Sequence, residues 1–109
     1  MEKLIERGLL FDYYGGLLNE KNRSIYEAAA IDDMSLSEIA EEVGISRQAV
    51  SDTLKRTDDK LKGFERELHL IRRAKKLEAE LAALKSAVNE DVIDREKLLD
   101  IITRIEEAV

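Results

Sequence analysis

Apolar residues recur every three or four positions between residues 35 and 56, which predicts two short amphipathic helices. The first helix begins after Ser35, and Glu38 three positions later completes the S-x-x-E pattern of a capping box. In that box each side chain accepts a hydrogen bond from the backbone N–H of the other residue. The inward side of this helix is predicted to consist of Leu36, Ile39, Ala40 and Val43.

The residues between the two predicted helices are typical of a tight turn. Gly44 stands where a left-handed residue is needed to end the first helix. Ile45 is placed to fill the corner between the helices, and Ser46 is placed to cap the second one. The buried side of the second helix is predicted to be Ala49, Val50 and Leu54. Residues 35–56 therefore predict a complete helix-turn-helix motif.

The outer face of the second helix is the candidate contact surface for nucleic acid or another partner. In a DNA-binding helix-turn-helix protein this face enters the major groove. The predicted contact residues are Arg47, Gln48, Ser51, Asp52, Lys55 and Arg56. A carboxylate in the groove, such as that of Asp52, can accept a hydrogen bond from cytosine, but it lowers affinity when it lies near phosphates.

The rest of the chain is also predicted to be helical, so the expected fold class is all-α. Further helices are predicted over residues 2–18, where Leu4 and Ile5 are among the apolar positions, over 20–31 and over 95–107. Asn19 and Asp94 are suitable caps for the second and last of these helices. A pair of glycines at 15–16 indicates either close approach of another helix or a hinge or docking notch.

No strong helix breaker occurs between Arg47 and about Asn89, and Gly63 is the only weak point. A helix of about 40 residues would extend roughly 60 Å, which exceeds one small domain, so part of it must project, break or pair. Its apolar stripe changes phase near residue 74, and the second part, including Leu81 and Val88, can pack on the last helix. We expect a helix-turn-helix domain over residues 1–62. Residues 63–109 should form a helical arm or antiparallel hairpin, with dimerisation through the same surface as the alternative.

Composition bounds the possible functions. The 109 residues contain no cysteine and no proline, and 39% of them are charged. The sequence therefore excludes a disulfide framework and a cysteine nucleophile and is typical of a helical cytosolic protein. No segment approaches the length of a membrane span, so the cytoplasm is expected. His69 is the only histidine, and no spacing indicates a catalytic or metal site. We expect no enzymatic activity and no cofactor.

Charge complicates the interpretation of the motif as a DNA reader. The net charge is −6, whereas neutralisation of phosphates supplies most non-specific affinity for DNA. One basic cluster consists of Arg66, Arg72, Arg73, Lys75 and Lys76. It is either a solvated helix face balanced by nearby glutamates or a contact for RNA or for an acidic protein surface.

The helix-turn-helix motif and the residues around it resemble two known families. The run ISRQAVSDTLKRT, within a wider match from Leu10 to about Leu70, resembles the YlxM (UPF0122-type) family of small bacterial helix-turn-helix proteins. The motif is also similar to the promoter-reading region 4 of sigma factors. These resemblances imply a three-to-four-helix or winged-helix-like DNA-binding domain whose long helix continues into a C-terminal arm.

The resemblances imply two classes of function. The YlxM resemblance implies a regulatory partner of the signal recognition particle, contacting its GTPase, the receptor of that GTPase, or the particle's RNA. The similarity to sigma factors implies a DNA-binding transcriptional regulator instead. The acidic net charge and Asp52 favour the first class over a protein that binds duplex DNA by itself.

Overall fold

The computed structural model describes the backbone of residues 2–109 and the side chains of residues 6–109. The side chains of Leu4 and Ile5 lie outside the described residues. Within the described range the chain forms six α-helices and one 3-10 turn, with no strand. The elements are α1 (Glu2–Tyr14), the 3-10 turn (Gly15–Leu17), α2 (Glu20–Ala30), α3 (Leu36–Val43), α4 (Arg47–Leu68), α5 (Leu70–Val88) and α6 (Arg95–Ala108). The predicted all-α fold class is confirmed, without a β-wing in residues 2–109.

The described residues divide into two compact units, and the boundary along the chain falls between Leu68 and His69. The sequence placed the boundary six residues earlier, after Lys62. His69 adopts a left-handed backbone conformation, with φ of 56°, and this interrupts the helix that the sequence extends to about Asn89. Gly63, the expected weak point, remains helical. The long helix therefore breaks at His69.

The first unit is built around α4, which contacts α1, α2 and α3. Its largest fully buried side chains come from all four helices: Tyr14, Ile25, Tyr26, Ile39, Val50, Thr57 and Leu61. The first helix ends at Tyr14, four residues earlier than the sequence predicted. Gly15 is buried there, and a Cβ at that position would lie 3.0 Å from the ring of Phe11. Gly15 does have a close neighbour, as expected. That neighbour is Phe11 of α1, however, and not a residue of another helix.

The second unit is a hairpin of α5 and α6. Glu80 on α5 pairs with Arg104 on α6 at 2.6 Å, and the start of α5 lies near the end of α6, so the helices are antiparallel. The buried side chains of the hairpin are Ile71, Ala87, Ile101 and Ala108. The expectation that Leu81 and Val88 form the seam is wrong, because these side chains are 44% and 47% exposed. The small side chain of Ala87 is buried instead, which shifts the seam by one residue around α5.

Candidate nucleic-acid or partner interface

The start of the helix-turn-helix motif is fixed by the predicted capping box. The Oγ atom of Ser35 accepts a hydrogen bond from the backbone N–H of Glu38 at 3.1 Å. The Oε1 atom of Glu38 accepts one from the N–H of Ser35 at 3.0 Å. The hydrogen bond from the Ser35 backbone, with a smaller contribution from the Ser35 side chain, holds the pKa of the Glu38 carboxyl below its usual range, because it favours the charged form.

The turn between α3 and α4 also follows the predicted chemistry. Gly44 has φ of 80°, in the left-handed region where a Cβ is unfavourable. Its N–H and that of Ile45 both donate to the carbonyl of Ala40, at 2.9 and 3.1 Å. Ser46 then caps α4, because its Oγ accepts from the N–H of Ala49 at 3.0 Å. The turn thus positions the beginning of α4 through local hydrogen bonds.

The prediction for the inward side of α3 fails at one residue. Val43 is 42% exposed, whereas Ile39 and Ala40 are buried and Leu36 is partly buried. Val43 is the last residue of an eight-residue helix, directly before the left-handed Gly44. The chain changes direction there, and the partly buried Ile45 follows in the corner between the helices. The expectation that Val43 belongs to the core is therefore wrong.

The six predicted contact residues lie together near the start of α4. We call Arg47, Gln48, Ser51, Asp52, Lys55 and Arg56 the α4 outer face. Five of these side chains are exposed, and Ser51 is partly buried. Arg47, Gln48 and Ser51 line a shallow depression together with Leu36 of α3. The two helices thus form one accessible, slightly concave surface.

Hydrogen bonds within α4 set the chemistry of this face. The Nε2 atom of Gln48 donates to Oδ1 of Asp52 at 3.0 Å, one helical turn away. The Nη2 atom of Arg56 donates to Oγ1 of Thr53 at 3.4 Å. Asp52 belongs to none of the ion pairs Arg7–Asp58, Lys97–Glu90 and Arg104–Glu80. The carboxylate therefore orients the Gln48 amide, and no neighbouring basic side chain among the described residues forms an ion pair with it.

A buried polar cluster attaches the middle of α4 to the helices behind it. Asp58 accepts hydrogen bonds from Arg7 at 3.1 and 2.6 Å and from the hydroxyl of Tyr26 at 2.6 Å. Tyr26 is fully buried, and burial, reinforced by the bond to Asp58, raises the pKa of its hydroxyl strongly. Hydrogen bonding to Asp58 also raises the pKa of Arg7, against the opposing effect of burial. The cluster fixes α4 relative to α1 and α2.

The sequence analysis did not predict this cluster, although the spacing of Asp58 in α4 contained a signal. Asp58 lies four positions after Leu54 and three before Leu61, so it falls on the buried stripe of α4. A second inter-helix bond was also missed: the hydroxyl of Tyr14 donates to Glu65.

The predicted basic cluster is divided between the two units. Arg66 lies in the last turn of α4, while the other four residues lie on α5. Arg72, Arg73 and Lys76 line an open pocket of about 200 Å³ together with His69, Glu107 and Ala108. Lys75 is exposed and does not line it. The structure thus brings three of the five predicted residues together.

The described part of the chain offers neither a cluster of metal ligands nor a helix suited to a membrane. No group of three or more potential ligand side chains is placed there to hold a metal ion. None of its helices combines the length and apolar character that crossing a membrane requires.

The fold and the motif define a helix-turn-helix protein, and comparison with known proteins identifies its family. The model of the UPF0122 family, described as helix-turn-helix proteins of the "YlxM / p13 like" type, matches residues 1–107. UPF0122 proteins of Bacillus cereus strain AH187, Bacillus anthracis strain A0248 and Bacillus thuringiensis subsp. konkukian strain 97-27 are similar to this chain. Each is 38% identical over 106 residues, covering 97% of this chain and 96% of the relative. The chain belongs to the UPF0122 family.

Proposed function

We propose that this protein is a non-enzymatic regulator of the signal recognition particle pathway in the cytoplasm. The resemblance to YlxM proteins supplies the pathway, and membership of the UPF0122 family supports that resemblance. In this proposal the α4 outer face contacts the particle's RNA, its GTPase, or the receptor of that GTPase. The helix-turn-helix motif then serves as a docking scaffold, a use that the fold permits as readily as DNA recognition.

The observation that carries this proposal is the exposed position of the Asp52 carboxylate, which no base among the described residues neutralises. Its carboxylate lies on the α4 outer face, bonded to Gln48, and belongs to none of the ion pairs among the described side chains. The neighbouring α3 exposes Glu38, Glu41 and Glu42. Affinity for duplex DNA rests mainly on neutralisation of phosphates, which these carboxylates oppose. They suit a basic protein surface or an unpaired base whose amino group donates a hydrogen bond.

A pull-down with the full-length tagged protein tests the proposal. Cytosol is divided into untreated, RNase-treated and DNase-treated portions, and retained proteins and RNA are identified. We expect salt-sensitive recovery of the particle or its GTPase, insensitive to DNase, because the contact is polar. Replacement of Arg47 and Gln48 by alanine should reduce recovery. The matched control replaces Arg23 and Ser24, which are exposed on α2.

DNA recognition is the second candidate, and one observation favours it. Arg47 and Gln48 are exposed at the beginning of α4, the part of a recognition helix that contacts base edges in DNA-binding motifs of this kind. Binding of this chain to random and selected duplexes discriminates between the candidates. Tight, sequence-selective binding that disappears on Arg47→Ala and Gln48→Ala would replace the first proposal by this one.

We further propose that the protein forms a homodimer through its hairpin. Beyond the buried seam, the second unit exposes large apolar side chains: Leu70, Leu81, Val88, Val92, Ile93, Leu99, Ile102 and Val109. A second copy of the same hairpin would cover them in a four-helix bundle. Sedimentation over a concentration series should show a dimer that Leu81→Glu dissociates. A monomer at every concentration would contradict the proposal.

A further inference from the structure

The beginning of α5 carries a stripe of basic residues within one pocket. His69, Arg72, Arg73 and Lys76 stand at positions i, i+3, i+4 and i+7, which places them on one side of the helix. All four line the open pocket of about 200 Å³, to which α6 adds Glu107 and Ala108. We call this site the α5 pocket. It gathers three cationic side chains and an imidazole around one carboxylate.

The charges of the pocket are only partly balanced within the second unit. Arg7, Lys97 and Arg104 form ion pairs outside the pocket. Arg73 and Lys76 belong to none of these pairs, and both side chains are exposed. Like charges three or four positions apart on a helix repel each other. An anion that bound between them would relieve this repulsion.

The position of the pocket on α5 adds to its positive field. The helix has 19 residues, and Arg72 and Arg73 lie in its first turn. The aligned peptide dipoles of a helix place positive partial charge at this end, where anions are stabilised. The basic side chains and the dipole of α5 therefore favour the same kind of ligand, and they are opposed by Glu107 and the C-terminal end of α6.

The donor geometry selects among anions. Guanidinium groups present planar pairs of N–H donors that match two oxygens of a phosphate, and a lysine ammonium contacts a third as a point charge. A phosphate group has enough oxygens to engage Arg73 and Lys76 together. We propose that the α5 pocket binds phosphate groups, supplied by the backbone of an RNA strand or by a free nucleotide. The proposal stands independently of the partner of the α4 outer face, because the pocket lies within the second unit.

Binding of RNA tests the first source of phosphate. Anisotropy of a short fluorescein-labelled oligouridine is measured with the full-length protein over a range of salt concentrations. The double variant Arg73→Glu, Lys76→Glu should weaken binding about tenfold and reduce the slope of log K against log salt by about 1.4, since each single-strand phosphate contact contributes about 0.7. The control Lys75→Glu, Lys85→Glu makes the same charge change on exposed residues of α5 outside the pocket. It should change affinity by less than the pocket variant.

Binding of adenosine triphosphate tests the second source. Titration into ¹⁵N-labelled protein should shift the amide resonances of residues 69–76 in the original protein and not in the pocket variant. Loss of oligouridine binding confined to the pocket variant identifies the RNA backbone as a ligand, and nucleotide shifts confined to the pocket identify a free nucleotide. Equal weakening by both charge-reversed variants, or binding of neither probe, would overturn the proposal. The neutral variant Arg73→Gln, Lys76→Gln should give an intermediate loss, and circular dichroism verifies the helical content of every variant.

Discussion

Replacement of Asp58 by alanine should destabilise the first unit far more than the same replacement of its exposed neighbour Asp59. The substitution removes the hydrogen bonds from Arg7 at 3.1 and 2.6 Å and from Tyr26 at 2.6 Å. The Tyr26 side chain is 0% exposed, so its hydroxyl would remain buried without a partner, at a cost of about 1–3 kcal/mol.

The loss of the ion pair adds to that cost only in part. Removal of one partner from a fully buried pair costs about 3–5 kcal/mol. The Arg7 side chain is 28% exposed, so its guanidinium can regain water and the full penalty is not reached. We therefore expect a total loss of about 3 kcal/mol in the free energy of unfolding of the first unit.

Tyrosine fluorescence is a suitable assay because all three tyrosines lie in the first unit and the chain has no tryptophan. Urea unfolding followed by this signal gives the midpoint for each variant. Asp59→Ala is the matched control, since Asp59 is an exposed carboxylate on the same helix and should change stability by less than about 0.5 kcal/mol.

A double-mutant comparison isolates the orphaned hydroxyl. Tyr26→Phe alone removes one hydrogen bond and should cost about 1 kcal/mol. Combined with Asp58→Ala, it should cost less than the sum of the two, because the unpaired hydroxyl is absent. Equal midpoints for Asp58→Ala and Asp59→Ala would show that the cluster does not stabilise α4, and the reasoning would fail.

The remaining predictions concern the motif. Gly44→Ala should lower the free energy of unfolding by about 1–2 kcal/mol because φ of Gly44 is 80°. Gly16 has open space around its Cβ and no positive φ, so Gly16→Ala should be close to neutral. Similar urea midpoints for the two variants would contradict this prediction. Glu38 has a lowered pKa, so its charged form is favoured by folding. The contribution of Glu38 to stability is therefore present above the ordinary titration range of a glutamate and disappears as the pH falls through the lowered pKa. The difference in stability between the original protein and Glu38→Gln should shrink in acid. A difference that stays constant with pH would contradict this prediction. Asp52→Asn should raise affinity for nucleic acid by roughly fivefold at low salt, about 1 kcal/mol, more than Asp59→Asn does, and equal effects in anisotropy titrations would argue against a special role for Asp52.

The parts of the fold that the sequence predicted well depend on neighbours a few positions away. The bonds between Ser35 and Glu38, the left-handed Gly44 and the cap at Asp94 are all short-range features. Side-chain chemistry at such positions directly determines where a helix begins or ends. For this reason the bounds of α3 and α6 agree with the prediction to within one residue.

The parts that the sequence did not predict depend on distant contacts or on small rotations. The partners of Asp58 include Arg7, 51 positions away, and helical periodicity does not identify such a partner. The burial of Ala87 rather than Val88 reflects a shift of one residue around α5, which an apolar pattern containing both residues does not fix. The break at His69 was not predicted, because histidine, unlike glycine or proline, does not indicate the end of a helix. The contact residues on α4 remain predictions about binding.

The long-range bonds of the first unit have a consequence for synthesis of the protein. The bonds from Arg7 to Asp58 and from Tyr14 to Glu65 each span 51 positions, so α1 lacks these partners until most of the unit has been made. Chains grow at about 5–20 residues per second, so α1 is made roughly 3–10 seconds before its partners on α4. We expect nascent chains ending before Glu65 to be protease-sensitive and those extending well beyond Leu68 to be resistant. Protection of the shorter chains would show that α1 packs on the motif without the bond from Tyr14 to Glu65.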